Sequence, residues 1–173
     1  MKITLTAGHG GRDPGACAND LIERDLMTEL RDITARKLTA AGHTVRTDGA
    51  RWQNLPLVHA ITLVPGSDVA LELHTNAAEN QNAGGVEVVS LPKDKARAQH
   101  IAQAIATVLG TKLRGDRGWI DQAQTHRGRL GFVRAGGLVV EVFFISNRDE
   151  CVAYLARTWL VASAIAKAVT DPI

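Results

Sequence analysis

Apolar and polar positions alternate over residues 2–7, which predicts a strand, and the same pattern recurs at 44–47, 69–74 and 85–90. The most apolar run, 138–145, predicts a strand covered on both faces and central in its sheet. Residues 21–41 carry Ile22, Leu26, Leu30 and Ile33 at the three-and-four spacing of a buried helix face. Asp20 is placed to cap that helix, with Glu23 three residues on completing a capping-box pattern, and Gly42 to end it. Ile101, Ile105 and Val108 give a similar stripe to a helix over 93–113. Shorter helices are predicted at 55–64, with Pro56 in the first turn, at 147–156 and at 158–169. Residues 129–133 read as a short strand, and 115–127, with Trp119 and His126, as irregular. Strands and helices alternate throughout. The expected fold is therefore one three-layer α/β/α domain over residues 1–173, with a mostly parallel mixed sheet and helices on both faces.

Composition narrows the function classes. A chain of 173 residues with 45% apolar and 22% charged residues is long enough to bury its own core. Its formal charge of +2 comes with no lysine/arginine block and no basic patch interleaved with aromatics, which excludes nucleic acid as the expected partner. No run of ~18 apolar residues predicts a transmembrane helix. The start, Met1-Lys2-Ile3-Thr4, is too polar for a signal peptide and leads straight into the first strand. Cys17 and Cys151 are far apart and lack CxxC spacing, so both read as free thiols.

Candidate chemistry gathers at strand ends. His9 follows the first strand on a loop holding four glycines between Gly8 and Asn19, and His74 ends the strand at 69–74. Glu23 heads the first long helix, and Glu141 interrupts the apolar run. In an open α/β sheet, functional groups collect at the carboxyl ends of strands. His9, Glu23 and His74 suit a catalytic zinc, which takes three protein ligands and keeps a fourth position for water. A carboxylate outside the ligand set then serves as general base and passes the water's proton to the leaving nitrogen. Glu141 is the best candidate, because a carboxylate among Val139, Val140, Val142 and Phe143 costs several kcal/mol to bury without a partner or a polar site.

Each residue taken singly has a plainer reading: Glu23 as a capping glutamate, His74 as a hydrogen-bonded strand end, Glu141 as an outward side chain on an edge strand. His43, His59 and His100 read as surface or half-buried residues, and His126 as a candidate for lining a substrate cleft. Glu72 and Glu87 sit in strands where they can alternate outward, and Asp13 reads as a residue that fixes the first loop. Gly10 and Gly11 would let the backbone approach metal and substrate. Asn76 and Arg134 are candidate substrate contacts. The glycine loop lacks both GxGxxG and GxxxxGK[ST], so a phosphate cradle is not expected.

These motifs, in this order, resemble the zinc-dependent N-acetylmuramoyl-L-alanine amidases of the amidase-3 type, over essentially the whole chain. The resemblance rests on Ala7-Gly8-His9-Gly10-Gly11-Arg12-Asp13-Pro14-Gly15-Ala16, Glu23-Arg24-Asp25, Glu72-Leu73-His74-Thr75-Asn76, Gly85-Val86-Glu87-Val88-Val89 and Val139-Val140-Glu141-Val142-Phe143-Phe144-Ile145-Ser146-Asn147. It implies one zinc ion per chain on His9, Glu23 and His74, with Glu141 as catalytic acid/base. It implies hydrolysis of the amide joining N-acetylmuramic acid to L-alanine in peptidoglycan. Thr75, Gly136-Gly137, Val142 and Phe143 depart from the family pattern, which bears on the shape of the cleft rather than on the reaction. The absence of a leader and of a wall-binding module resembles a phage or prophage endolysin: a monomer made in the cytoplasm and acting on the wall after release. Two alternatives stand beside this: a zinc peptidase of similar architecture, and a peptidoglycan-binding module without catalysis.

Overall fold

The chain begins with β1 (Lys2–Ala7) and a glycine-rich loop, then a small hairpin of β2 (Cys17–Ala18) and β3 (Leu21–Ile22). α1 (Glu23–Ala40), β4 (Thr44–Thr47), α2 (Leu57–Leu63) and β5 (Val69–Asn76) follow. β6 (Glu87–Ser90), α3 (Lys95–Leu109), β7 (Trp119–Asp121), α4 (Gly131–Arg134), β8 (Leu138–Phe144) and α5 (Arg148–Thr170) complete it. The computed structural model describes residues 1–125, 128 and 130–172. Six strands form one sheet in the order β4-β1-β5-β8-β6-β7. The first four run parallel, β6 is antiparallel to β8, and β7 is parallel to β6. This is the expected mostly parallel mixed sheet, with β8 inside it.

Strand alternation sorts the side chains onto two unequal faces. Leu5, Leu71, Leu73, Val88, Leu138, Val140 and Val142 belong to the main core, with Met27 and Leu30 of α1, Ile101 and Ile105 of α3, and Tyr154, Val161 and Ile165 of α5. Each fully buried leucine or isoleucine there stabilises the fold by roughly 1.5–3 kcal/mol. The opposite face is thinly covered: Ala70, Val89 and Val139 meet Ala60 and Val64 from α2 and its end, and Phe132 and Val133 from α4. Glu72 and His74 continue the Ala70 row, and Glu141 continues the Val139 row. The candidate chemistry therefore lies on the thinly covered face, toward the carboxyl ends of the parallel strands.

Several elements differ from the sequence reading, each for a local reason. Asn19 and Asp20 have φ of 51° and 62° and form the turn between β2 and β3. A two-residue hairpin turn of this hand favours such residues. An N-cap needs an extended backbone, so Asp20 cannot cap. α1 starts instead at Glu23, after an extended Ile22 that makes no side-chain cap. α3 stops at Leu109, with Gly110 left-handed at φ 71°. Residues 131–134 are helical, not a strand, and Trp119–Asp121 pairs with β6 inside the segment read as irregular.

The two predicted C-terminal helices are one, opened by Asn147, whose side chain accepts from the Asp149 and Glu150 amides. α5 is long and apolar enough to cross a membrane by length and composition alone. Here Tyr154, Val161, Ile165 and Val169 are buried in the core against α1 and α3.

Arg31 of α1 is sealed from solvent and pairs with the equally sealed Asp48, just after β4, at 2.9 Å. Its other nitrogen donates to Ala50 O at 3.1 Å. Asp48 also accepts from the Ala7 amide at 3.3 Å, so one buried ion pair ties α1, β1 and the loop after β4 together. Burial pushes the Asp48 carboxyl above its ordinary value, against the pull of Arg31. Replacing Arg31 by alanine strands that carboxylate. The expected loss is about 3–5 kcal/mol, read from urea unfolding at neutral pH. A loss under ~1 kcal/mol would mean that the pair does not hold these elements.

Candidate metal centre

His9 leaves β1 at φ 61°, a left-handed conformation uncommon for a residue with a side chain. The Asn54 side-chain amide holds the turn by donating to the carbonyls of Ala7 (3.0 Å), Gly8 (3.2 Å) and His9. His74 stands near the end of β5, at a register irregularity between His74 and Asn76 in the pairing with β8. Glu23, the first residue of α1, is 2% exposed. One of its carboxylate oxygens accepts from the Thr75 amide and lies 3.0 Å from His74 Nδ1. The other accepts from the Ala16 amide and lies 3.3 Å from His9 Nε2. The structure thus places one donor atom each from His9, Glu23 and His74 within 4.8 Å of one another. Glu23 is no capping glutamate: its carboxylate is turned to the two rings and to the Thr75 and Ala16 amides.

Each imidazole meets a second carboxylate on its other nitrogen. His9 Nδ1 lies 2.9 Å from Asp13, which also fixes its loop by accepting from the Gly15 amide at 3.0 Å. His74 Nε2 lies 3.2 Å from Glu72. Glu72 does not alternate outward as expected; it is buried on the same side of the sheet as His74. Asp13 and Glu72 are the residues the sequence reading undervalued. The available signal was spacing: residues two apart on a strand share a face. Carboxylates behind metal-binding imidazoles fix the tautomer and orient the ring.

Two glycines are required by this packing, and they are not the expected Gly10 and Gly11. A Cβ on Gly8 would come within 2.1 Å of the His74 ring. One on Gly15, at φ 69°, would come within 2.6 Å of both the Glu23 carboxylate and the His9 ring. Gly10 is pressed against the Leu55 carbonyl instead, and Gly11 faces open space.

Glu141 sits directly opposite His74 on β5 and Glu87 on β6, so the three side chains share one face. Its charge adds to the field that favours protonated His74. Glu87 does not simply face outward: it accepts from Asn76 at 3.0 Å and from the Arg114 guanidinium. The Asn76 amide is thereby engaged within the protein. Arg134 is exposed at the end of α4. His43, His59 and His100 lie outside the cluster, and His126 lies outside the described residues. Cys17 and Cys151 are free, as expected.

Within the cluster, imidazoles and carboxylates favour one another's charged forms. Burial works against a charged His74, but Glu23 and Glu72 override it and raise the pKa to about 10. Glu23 raises that of His9, again against burial, with help from Asp13. Burial opposes an ionised Glu23, yet the two histidines hold it well below the usual carboxylate range. Two imidazoles and one ionised carboxylate, each ring backed by a second carboxylate, form a donor set that fits a divalent zinc ion.

A His–Glu–His cluster that could hold a metal ion, set on an open α/β sheet, defines the class of site. The N-acetylmuramoyl-L-alanine amidase family profile matches residues 3–171, and the chain belongs to that family. A crystal structure from Neisseria meningitidis, whose protein carries a provisional N-acetylmuramoyl-L-alanine amidase assignment, is 43% identical with a TM-score of 0.89. That likeness covers 97% of this chain and 93% of the other. The probable autolysin PH of Staphylococcus aureus is 31% identical over 134 residues, 68% of this chain and 27% of its own length. This chain therefore matches little more than a quarter of that relative. The catalytic domain of CwlV from Paenibacillus polymyxa shares the fold at 21% identity and a TM-score of 0.81 over 98% of this chain and 97% of that one.

Two measurements test the centre. Glu72→Gln and Asp13→Asn should each weaken zinc binding ~10–100-fold in chelator competition, because the rings lose their orienting partners. Zinc affinity should rise with pH through neutrality, since the ion must displace protons from the histidines. The stability of the zinc-free protein moves the other way on its basic side. His74, raised to about 10, contributes fully below its unfolded value near 6.5, and the contribution fades as pH climbs toward 10. Glu23, depressed, contributes above its unfolded value near 4.5 and loses that as pH falls. Unchanged affinity in both variants would remove Asp13 and Glu72 from the centre.

Proposed function

We propose that this domain is a zinc-dependent hydrolase that cuts the amide between the lactyl group of N-acetylmuramic acid and L-alanine in peptidoglycan. The observation that carries the proposal is the convergence of His9, Glu23 and His74 beside Glu141, in a chain that belongs to an amidase family. His9, Glu23 and His74 would hold the ion. When bound, zinc acidifies water and polarises the carbonyl to be attacked.

The protein's own residues do the rest. Glu141, across from His74 and outside the ligand triad, takes a proton from the attacking water and delivers it to the departing L-alanine nitrogen. The amine then leaves neutral, and the lactyl carboxylic acid that stays with the glycan gives up its remaining proton to solvent. Asp13 and Glu72 keep the two rings in place throughout. Glu87, directly across the sheet from Glu141, is engaged by Asn76 and Arg114 and is not assigned to proton transfer.

Purified peptidoglycan digested with the protein should release stem peptides with a free L-alanine amine and leave glycan strands intact, as read by mass spectrometry. A chelator should stop the release, and Glu141→Ala should abolish it while retaining zinc. Cuts inside the peptide would make the protein a zinc peptidase. A folded, zinc-loaded sample that cuts nothing would make it a binding module. An endolysin role belongs to the same proposal. Expressed in the cytoplasm together with a membrane-lesion protein, the domain should lyse cells. Intact cells would remove the endolysin role and leave the amidase chemistry standing.

A further inference from the structure

Beside the metal centre runs a groove of about 740 Å³ that the mechanism above does not use. Its size is that of small-ligand clefts, ~300–1,000 Å³. One wall is the outer side of α1, with Arg24, Asp25, Thr28 and Glu29; the other is the loop after β4, with Trp52 and Gln53. The groove starts at Gly11, two residues from His9, and Arg24 immediately follows Glu23. Arg24 donates to the Gly11 carbonyl at 3.2 Å, so its rim is fastened to the His9 loop.

Trp52 is 60% exposed. Its backbone is held at φ 65°, a conformation that bulky residues rarely adopt, and its amide donates to Asp32 at 2.8 Å. The same loop is anchored by the sealed Arg31–Asp48 pair and by Asn54. The Arg51 guanidinium lies 5.1 Å from the indole centroid, and an indole this exposed on a backbone this firmly held is a preformed flat surface. Residues kept in sparsely populated conformations concentrate at ligand sites.

We infer that this groove binds a neutral sugar ring of the peptidoglycan glycan strand, stacked on Trp52, next to the muramic acid whose amide is cut. The inference rests on the proposed function for the identity of the polymer. The lining suits a sugar better than the stem peptide, because Arg24, the one cation among the described lining residues, is already paired within the groove. Asp25 and Glu29 line the groove, and Arg24 is already paired with Asp25 at 2.9 Å. Those carboxylates accept hydrogen bonds from sugar hydroxyls and offer a stem-peptide carboxylate no donor. The indole supplies the apolar partner for the ring's C–H face, and Gln53 offers both a donor and an acceptor.

The test separates this site from the chemistry. A neutral oligomer of β-1,4-linked N-acetylglucosamine is titrated into the zinc-free protein by calorimetry. Wild type should bind, Trp52→Ala should bind at least ~10-fold more weakly, and Trp52→Phe and Asp25→Ala should fall between. On wall fragments several disaccharides long, Trp52→Ala should raise KM ~10-fold with kcat nearly unchanged. On a single muramoyl-peptide both constants should match wild type. Equal oligomer binding by wild type and Trp52→Ala would overturn the inference even if the amidase activity is present. Trp52-dependent binding of free stem peptide in place of the oligomer would overturn it as well. Trp52-dependent oligomer binding by a protein that cuts no amide would leave the sugar site standing and sink the catalytic reading. If Trp52→Ala fails to fold, the Trp52→Phe and Asp25→Ala titrations decide, and oligomer binding unchanged in both overturns the inference.

Discussion

A carboxylate almost sealed from water organises this molecule. Glu23 brings a negative charge to the first turn of α1, where the isolated cost of burial would be several kcal/mol. That cost is met by two backbone amides, from Ala16 and Thr75, and by two imidazoles. The four partners come from the glycine loop and from β5, two parts of the chain far apart in sequence. Satisfying one charge therefore fixes how α1, the loop after β1 and the end of β5 meet. The choice of glycine at positions 8 and 15 follows from the same crowding, since a side chain at either would occupy the space of a ring or of the carboxylate.

The sheet then divides labour between its faces. Three long helices cover one side and supply most of the buried apolar surface. Two short ones cover part of the other, where the polar row Glu72, His74 and Glu141 faces lighter cover. Polar groups on the heavily packed face would have needed partners inside a close-packed core. On the lighter face they can meet one another and a substrate. Position in the sheet matters as well: β5 and β8 are interior strands, and Glu141 has a ladder partner on each side, His74 and Glu87, which fixes its register against His74.

Much of this was legible in the sequence because it rests on local periodicity. The strands and long helices follow spacing of two and of three-and-four. His9, His74, Glu23 and Glu141 stand out because polar residues at strand ends and in apolar runs require a reason. What was not legible depends on conformation or on pairing. Asn19–Asp20 forms a left-handed turn, and that turn, not a cap, decides where α1 begins. Glu72 shares a strand face with His74, which spacing alone could have shown, but its burial depends on the strands either side. Glu87 meets Glu141 only through the register of β6 against β8. The joint at residues 156–158 contains neither glycine nor proline, so nothing there interrupts α5. Residues 131–134 are too few for periodicity to separate a helical turn from a strand.

Asn54 has a consequence that reaches past packing. Its amide grips the carbonyls of Ala7, Gly8 and His9, while its own backbone carbonyl accepts from Gly11 at 3.3 Å. The loop that displays Trp52 and the turn that aims His9 are thus mechanically one piece. Through Asn54, the groove wall and the His9 turn share one set of hydrogen bonds, so neither can be rebuilt by mutation without disturbing the other.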